Sequence, residues 1–505
     1  MGSRFFAPAR ATALPSRIAA ATWAASMAVE LVALVAVVGA ALVLRLPAMH
    51  RGLGQDELFS IVNFIDVPSL WTTVSTNDAF NNHVGYSLSA YSAEALFGRS
   101  EWVYRAPALL FGLIVVPAFW FLARSVLPCP WPVLGALLLA LSPPAIAWST
   151  SARGYSALIC FTLLSSVLYM RLLRRPRRRE AWLFVIVSVL GNYMHLYAAQ
   201  VTLVQGLLLL RVARGGGWRL PWGSRLPLEA VGPGILLRTF PVIAATTLVW
   251  YLPVLRPIVR DLIQRGHGAF DPLFPAAVLA ELSGLAPLPL IALFLGIAAL
   301  GAIALRRTDA AMIRYLAALF FAPVTLMVVS RPIDLYPRFF AYFLPYLVLA
   351  FVAGLHTLWR GAQTSRGWPA RLLAHAGALL AITIVVFDWS SAIPNAVHEE
   401  GYREASRLAL AAAPADTPIC TLGGARTVWR YYLGPDVATP HSIGEFLALA
   451  SGSHETRCVY YQASWQDAQQ SEIADYLRAN ASSERVQDLV VFSYRSEGDA
   501  PGSAR

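Results

Sequence analysis

Apolar runs of 17 or more residues recur through the first three quarters of this chain. A run of that length, coiled as a helix, crosses a hydrocarbon layer about 30 Å thick. Lipid offers no water to backbone N–H and C=O groups, so each run must satisfy them internally, and a helix does this within one segment. The composition agrees. The 505 residues are 57% hydrophobic and 14% charged, whereas soluble domains carry about 25% charge. The mean hydropathy is +0.55. The chain therefore reads as a polytopic α-helical membrane protein.

Eleven candidate spans follow: 28–46, 103–123, 131–149, 155–173, 181–194, 196–212, 238–254, 286–305, 312–329, 339–358 and 372–389. The basic N-terminus resembles a signal peptide, but its apolar run is too long for a cleaved core and reads as a retained first span. All 40 basic residues are arginine, giving a net charge of +11. They gather at the ends of apolar runs, most densely at Arg171, Arg174, Arg175, Arg177, Arg178 and Arg179. That is the orientation bias of membrane proteins rather than a nucleic-acid groove. Keeping the arginine clusters cytoplasmic leaves 47–101, 150–154, 255–285, 330–338 and 390–505 outside. The pair 181–194 and 196–212 is broken around Asn192-Tyr-Met-His195; if it were one kinked span, everything after it would flip.

Two outer segments are large. In 47–101, residues 56–67 and 84–97 have amphipathic patterns suited to lying at the interface. The segment 390–505 is polar, holds roughly half of the acids, and reads as a small α/β domain. Its expected order is helix 401–413, strand 417–422, helix 425–433, helix 443–451, strand 457–461, helix 466–480 and strand 486–492. The domain reading is thus a membrane domain, 1–389, an extracytoplasmic α/β domain, 390–495, and a disordered tail, 496–505. Cys420 and Cys458 fit either a disulfide, in an oxidising compartment, or two buried thiols. No Cys-x-x-Cys or zinc spacing is present.

With no lysine, a phosphate clamp must come from Arg, His, Tyr or backbone N–H groups. Asp56 and Glu57 directly follow the first span. A carboxylate there can take a proton from an incoming nucleophile, and an Asp can equally cap an amphipathic helix. His83, in Asn81-Asn-His83-Val-Gly-Tyr86, suits a phosphate or sugar hydroxyl, or is an ordinary solvated loop histidine. Arg153, in Ser151-Ala-Arg153-Gly-Tyr155, can snorkel or pair with an anionic head group. Tyr193-Met-His195-Leu-Tyr197 is polar inside apolar sequence, where ionisable residues are candidates for function. Tyr336-Pro-Arg338 has Arg331 and Asp334 nearby. Arg256, Arg260 and Arg265 add charge at the outer end of the seventh span. All of these fall on one side of the expected topology, as a site for an anionic, lipid-linked substrate requires.

The order of these features resembles the GT-C superfamily of membrane glycosyltransferases, in the branch of the protein mannosyltransferases and the aminoarabinose lipid A transferases. The residues that carry it are Asp56-Glu57, His83, Phe97-Gly-Arg-Ser-Glu-Trp-Val-Tyr-Arg105-Ala-Pro-Ala-Leu-Leu-Phe-Gly112, Pro143 with Ser151–Tyr155, Tyr193–Tyr197, Tyr336-Pro-Arg338, Tyr402-Arg-Glu-Ala and Tyr431-Tyr-Leu-Gly434. They cover about residues 30–435. The resemblance implies an all-α polytopic GT-C-like fold of about eleven transmembrane helices with the small outer α/β domain, a catalytic first outer loop, and location in a bacterial inner membrane. It implies inverting transfer of a sugar from a polyprenyl-phosphate donor to a lipid, glycan or protein acceptor, with Asp56 as base and Glu57 beside it. His83, Arg153, Tyr155, His195, Tyr197, Tyr336 and Arg338 would contact substrate. This branch implies no catalytic metal and no other cofactor. Family members often place prolines after the His83 position, where this chain has Val84 and Gly85. A lipid or sugar transporter is the rival class; it would bring inverted repeats and broken helices at mid-membrane, and no internal repeat is visible.

Overall fold

The computed structural model describes residues 17–77, 81–174, 177–213, 233–265, 271–308, 310–330, 336–364, 367–397, 400–411, 417–422, 428–461 and 471–495. The chain divides into two compact units. The first takes residues up to Pro47, His83–Ser89 and Arg105–Val397; the second takes Ala48–Asn82, Ala90–Tyr104 and the residues from His398 on.

The first unit holds the membrane helices. Among the described residues, eight helices are long and apolar enough to span, and a ninth span results if Trp131–Leu141 and Pro143–Ser149, bent by 61°, count as one. The expected eleven also include 181–194 and 196–212. These are the helices Arg178–Met194 and Ala198–Ala213, of 17 and 16 residues. They are parted at His195-Leu-Tyr197, where the sequence turns polar.

The 61° bend has a local cause. Pro143 and Pro144 have no N–H, so the carbonyls of Leu139 and Ala140 lose their donors one turn on. Ser142 N–H takes up the Leu139 carbonyl at 3.3 Å. Arg45, from the first helix Arg17–Met49, supplies the other donor: Nη1 reaches the Ala140 carbonyl at 3.0 Å and its own Ala41 carbonyl at 2.9 Å. Its Nε donates to Ser149 Oγ at 2.7 Å. Arg45 is fully buried, so this charge is held by protein acceptors rather than by water. Towards the other end of the same helix, buried Glu30 accepts from Trp120 Nε1 at 3.2 Å and lies 3.8 Å from Arg124 Nε. Two polar anchors thus fix the register of a helix whose remaining surface is mostly apolar.

Deeper among the spans, a polar cluster links four helices. Tyr346 OH donates to Ser166 Oγ at 2.5 Å, and Ser166 Oγ lies 2.7 Å from Tyr315 OH. Gln205 Nε2 donates to Tyr315 OH at 2.9 Å and Gln205 Oε1 accepts from Ser165 Oγ at 3.1 Å. Each polar atom here meets another, as a low-dielectric interior demands.

In the second unit, Gln55–Ser60 is a short α-helix that runs into a single π turn, Ile61–Ile65. The C-terminal part carries a four-stranded sheet: β1 (Ile419–Leu422), β2 (Glu455–Tyr461), β3 (Ser482–Val486) and β4 (Leu489–Arg495), in the order β1-β2-β4-β3. β1 and β2 are parallel and the other pairs antiparallel. Helices Tyr402–Leu410, Arg430–Leu433, Ile443–Ala450 and Ser471–Asn480 accompany it. Cys420 stands opposite Cys458 with Cα atoms 4.4 Å apart, and the two are disulfide-bonded. Of the two alternatives the sequence left open, the bridge is the one found. The single strand expected at 486–492 is instead a hairpin turning at Gln487-Asp488. Its first strand, Ser482-Ser-Glu-Arg-Val486, is a largely exposed edge strand, so no apolar alternation marked it. Parts of the expected helices 425–433 and 466–480, and the tail 496–505, lie outside the described residues.

Replacing Arg45 by Met should strand the Ala140 carbonyl and cost about 1–3 kcal/mol. The measurement is thermal unfolding of the purified protein in detergent; Arg45→Lys should recover part of the loss.

Candidate functional site

Four chain segments of the membrane unit meet around His83. It precedes the helix Val84–Phe97. Arg153 and Gly154 lie in the turn before the helix Tyr155–Arg174. His195 ends the helix Arg178–Met194. Arg338 lies in the 3-10 segment Pro337–Phe343.

The contact is close because two positions lack a side chain. At Gly154 a Cβ would lie 2.8 Å from the Met194 carbonyl and 3.0 Å from His83 Nδ1. At Gly85 it would lie 2.9 Å from the backbone N of Met194. Backbone therefore packs on backbone, and Gly154 N–H donates to His83 Nδ1 at 2.9 Å. An imidazole that accepts at Nδ1 carries its proton at Nε2 when neutral. Burial pushes the His83 pKa well below the ordinary histidine range, and His195, Arg153 and Arg338 push the same way. His83 is thus a neutral donor in a positively charged setting.

Rings line this space. His83 and His195 lie 4.0 Å apart between centroids, with Tyr155 at 5.4 Å from the first and 5.1 Å from the second. Tyr197 stacks on Phe339 at 4.5 Å, and Arg338 lies over Tyr336 at 4.7 Å. Arg153 Cζ is 5.9 Å from the Tyr155 ring. His83, Arg153, Tyr155 and His195 are all buried, whereas Tyr336 is 48% exposed. His195 Nδ1 accepts from Tyr197 N–H at 3.4 Å. Its Nε2, and the Tyr155 hydroxyl, are buried and meet no hydrogen-bond partner among the described residues. Buried donors of this kind beside two guanidinium groups suit an anion with several acceptor oxygens, such as a phosphate ester.

The sequence reading named all seven of these side chains, and the fold assembles them within one unit. It missed Gly85 and Gly154 as the residues that permit the assembly. The available signal was Gly85, two residues after His83, which a close backbone approach explains. Arg331 and Asp334 lie outside the described residues. Among the described residues no group of three or more His, Cys, Asp or Glu is arranged to hold a metal ion.

Asp56 and Glu57 belong to the second unit. Both sit in the first turn of Gln55–Ser60. Buried Glu57 turns back to accept the Gly54 N–H at 3.0 Å, which makes it a cap of this helix; Asp56 is half-buried. Motif residues around them form a web. Tyr432 OH accepts from Leu53 N–H at 3.0 Å and donates to Glu101 at 3.3 Å. Arg403 Nη1 donates to the His50 carbonyl at 2.9 Å and lies 3.6 Å from Glu101. Arg99 pairs with Asp66, and Tyr104 OH donates to Glu94 at 3.0 Å. Of the positions of the sequence resemblance, Tyr432 and Arg403, both held by Glu101, thus grip the segment just before Asp56, while Arg99 pairs beyond it at Asp66 and Tyr104 bonds Glu94.

Residues 88–250 match the sequence model of the family described as dolichyl-phosphate-mannose-protein mannosyltransferase. The chain is similar in structure to ArnT from Cupriavidus metallidurans in the apo state, with a TM-score of 0.59 and 14% identity over 93% of this chain and 99% of that one. The same protein bound to undecaprenyl phosphate gives 0.56 and 15%, with the same coverage. The archaeal oligosaccharyltransferase AglB from Archaeoglobus fulgidus, in complex with an inhibitory peptide and a dolichol-phosphate, gives 0.51 and 11% over 94% of this chain and 75% of that one. No curated protein matches significantly by sequence. The fold is GT-C-like, as in these solved structures, and the long apolar helices make this chain a multi-pass membrane protein.

Substituting Gly154 or Gly85 by Ala should destabilise the membrane unit by about 1–3 kcal/mol through overpacking. Gly39, where nothing lies within 4 Å, should accept Ala without loss. Thermal melts of the three variants in detergent test this.

Proposed function

We propose that this protein transfers a sugar from a polyprenyl-phosphate donor to an acceptor outside the cytoplasm of a bacterial cell. The observation that carries the reading is the convergence of Arg153, Arg338 and the two buried imidazoles of His83 and His195. Such a set fits the phosphate of a lipid-linked sugar. Relatives of the same fold have been solved with undecaprenyl phosphate and with a dolichol-phosphate, which supports a donor of this class.

In the mechanism we infer, Arg153 and Arg338 neutralise the phosphate oxygens while His83 and His195 donate through Nε2. Tyr155, Tyr197 and Tyr336 line the donor's path. Asp56, assigned as base from the sequence resemblance, removes the proton from an acceptor hydroxyl. The hydroxyl oxygen bonds to the anomeric carbon, and the bond from that carbon to the phosphate oxygen breaks on the opposite face. The configuration inverts and the lipid phosphate leaves as an anion. Phosphate is a good leaving group, so the cationic set stabilises departing charge and no strong general acid is needed. Glu57 serves the reaction by capping the helix of Asp56. The Cys420–Cys458 bridge accords with an oxidising, extracytoplasmic location for the C-terminal domain; with it we place the N-terminus in the cytoplasm.

The donor and acceptor are found by mass spectrometry of the lipid-linked sugars that accumulate in a deletion strain. With that donor, Arg153→Gln should lower kcat/KM by about 10²-fold. Asp56→Asn should keep the fold and abolish transfer; near-normal transfer by that variant sinks the assignment of the base.

A further inference from the structure

Glu400 lies just before the helix Tyr402–Leu410, far along the chain from Asp56. The fold of the second unit nevertheless brings it to the start of the helix that carries Asp56. Its Oε2 accepts the N–H of Gln55, the residue directly before Asp56, at 2.8 Å. The approach is tight: a Cβ at Gly54 would lie 3.1 Å from Glu400 Oε1. Glu57 takes the preceding N–H, that of Gly54. Two carboxylates thus hold two successive amides at the mouth of one helix, one from within it and one from a remote segment. A helix start leaves its first four N–H groups without intrahelical partners, and here a remote carboxylate takes one of them.

The other groups that face Glu400 are Asp56 and Glu57 on that helix, Asp488 in the β3–β4 turn, Tyr402 on the following helix and Tyr461 at the end of β2. Burial, then the like charges of Asp56, Glu57 and Asp488, push the Glu400 carboxyl up to about 7 against the pull of the Gln55 N–H. Glu400 therefore gains its charge as pH rises through the neutral range.

We propose that Glu400 is a positioning residue for Asp56: its carboxylate holds the Gln55 N–H and so fixes the turn that carries Asp56. This rests on the reading of Asp56 as the base. An ionised carboxylate accepts the Gln55 N–H more strongly than a protonated one, so the hold on that turn weakens as pH falls through about 7.

The test uses the full chain in proteoliposomes. Carbodiimide labels protonated carboxyls, and mass spectrometry locates the label. Glu400 should be half-labelled near pH 7, and at a lower pH in Asp56→Asn, because a like charge has gone. An unchanged midpoint in that variant overturns the coupling, and this readout needs no turnover. For the reaction, release of undecaprenyl phosphate from the donor found in the deletion strain is followed between pH 6 and 8. Wild-type kcat should rise through about pH 7. Glu400→Gln keeps an acceptor for Gln55 N–H but no charge, and should lose that rise. Glu400→Ala loses both and should lower kcat about tenfold further. A Glu400→Gln profile that keeps the wild-type limb overturns the proposal, since a merely structural residue would scale the rate at every pH alike. If Asp56→Asn transfers normally while the labelling midpoint shifts, the assignment of the base fails and the coupling stands.

Discussion

The hydrogen bond from the Gly154 amide to His83 Nδ1 is the joint on which the candidate phosphate site depends. It decides three things at once. It sets the tautomer of His83, so that Nε2 is left to donate. It brings the Arg153 turn against the segment before the helix Val84–Phe97. It requires a glycine at 154, because the carbonyl of Met194 occupies the space a side chain would need. The ring cluster of His83, Tyr155 and His195 then follows from the positions of their backbones.

The same economy of backbone groups governs the spans. A membrane helix has no water to repair a missing donor. Where Pro143 and Pro144 remove two donors, the chain bends, and a buried arginine from the first helix restores one of the bonds. Arg45 is thereby a structural residue. Burial alone does not separate it from a candidate site residue. Arg45 and Arg153 are both buried, but Arg45 lies against the Ala41 and Ala140 carbonyls, and Arg153 lies by the Tyr155 ring and near enough to His83 to act on its charge.

Much of the site was legible beforehand, for a physical reason. An ionisable residue next to a membrane span carries a solvation cost, so His83, Arg153, His195 and Arg338 stand out against apolar neighbours without any structure. Gly85 and Gly154 did not stand out, because a glycine announces nothing until the atom that would collide with its Cβ is known. Glu400 was invisible for a related reason: in a polar segment one more acid is unremarkable. Its meaning comes from Gln55, which lies 345 positions away along the chain. β3 was missed because an exposed edge strand has no buried face to pattern.

The sequence by itself determined that this chain is a bundle of membrane helices with a polar α/β appendage, since apolar length and arginine placement are local properties that the bilayer reads directly. It also singled out Asp56, His83, Arg153, His195 and Arg338 as candidate site residues. Only the tertiary structure decided how they are held. The Glu57 carboxylate became a cap, the Cys420–Cys458 pair became a bridge, and His83 became a donor through Nε2. Each of these outcomes turns on one distance of a few ångströms between residues remote in sequence or across a turn, and distances of that kind are fixed by packing rather than by composition.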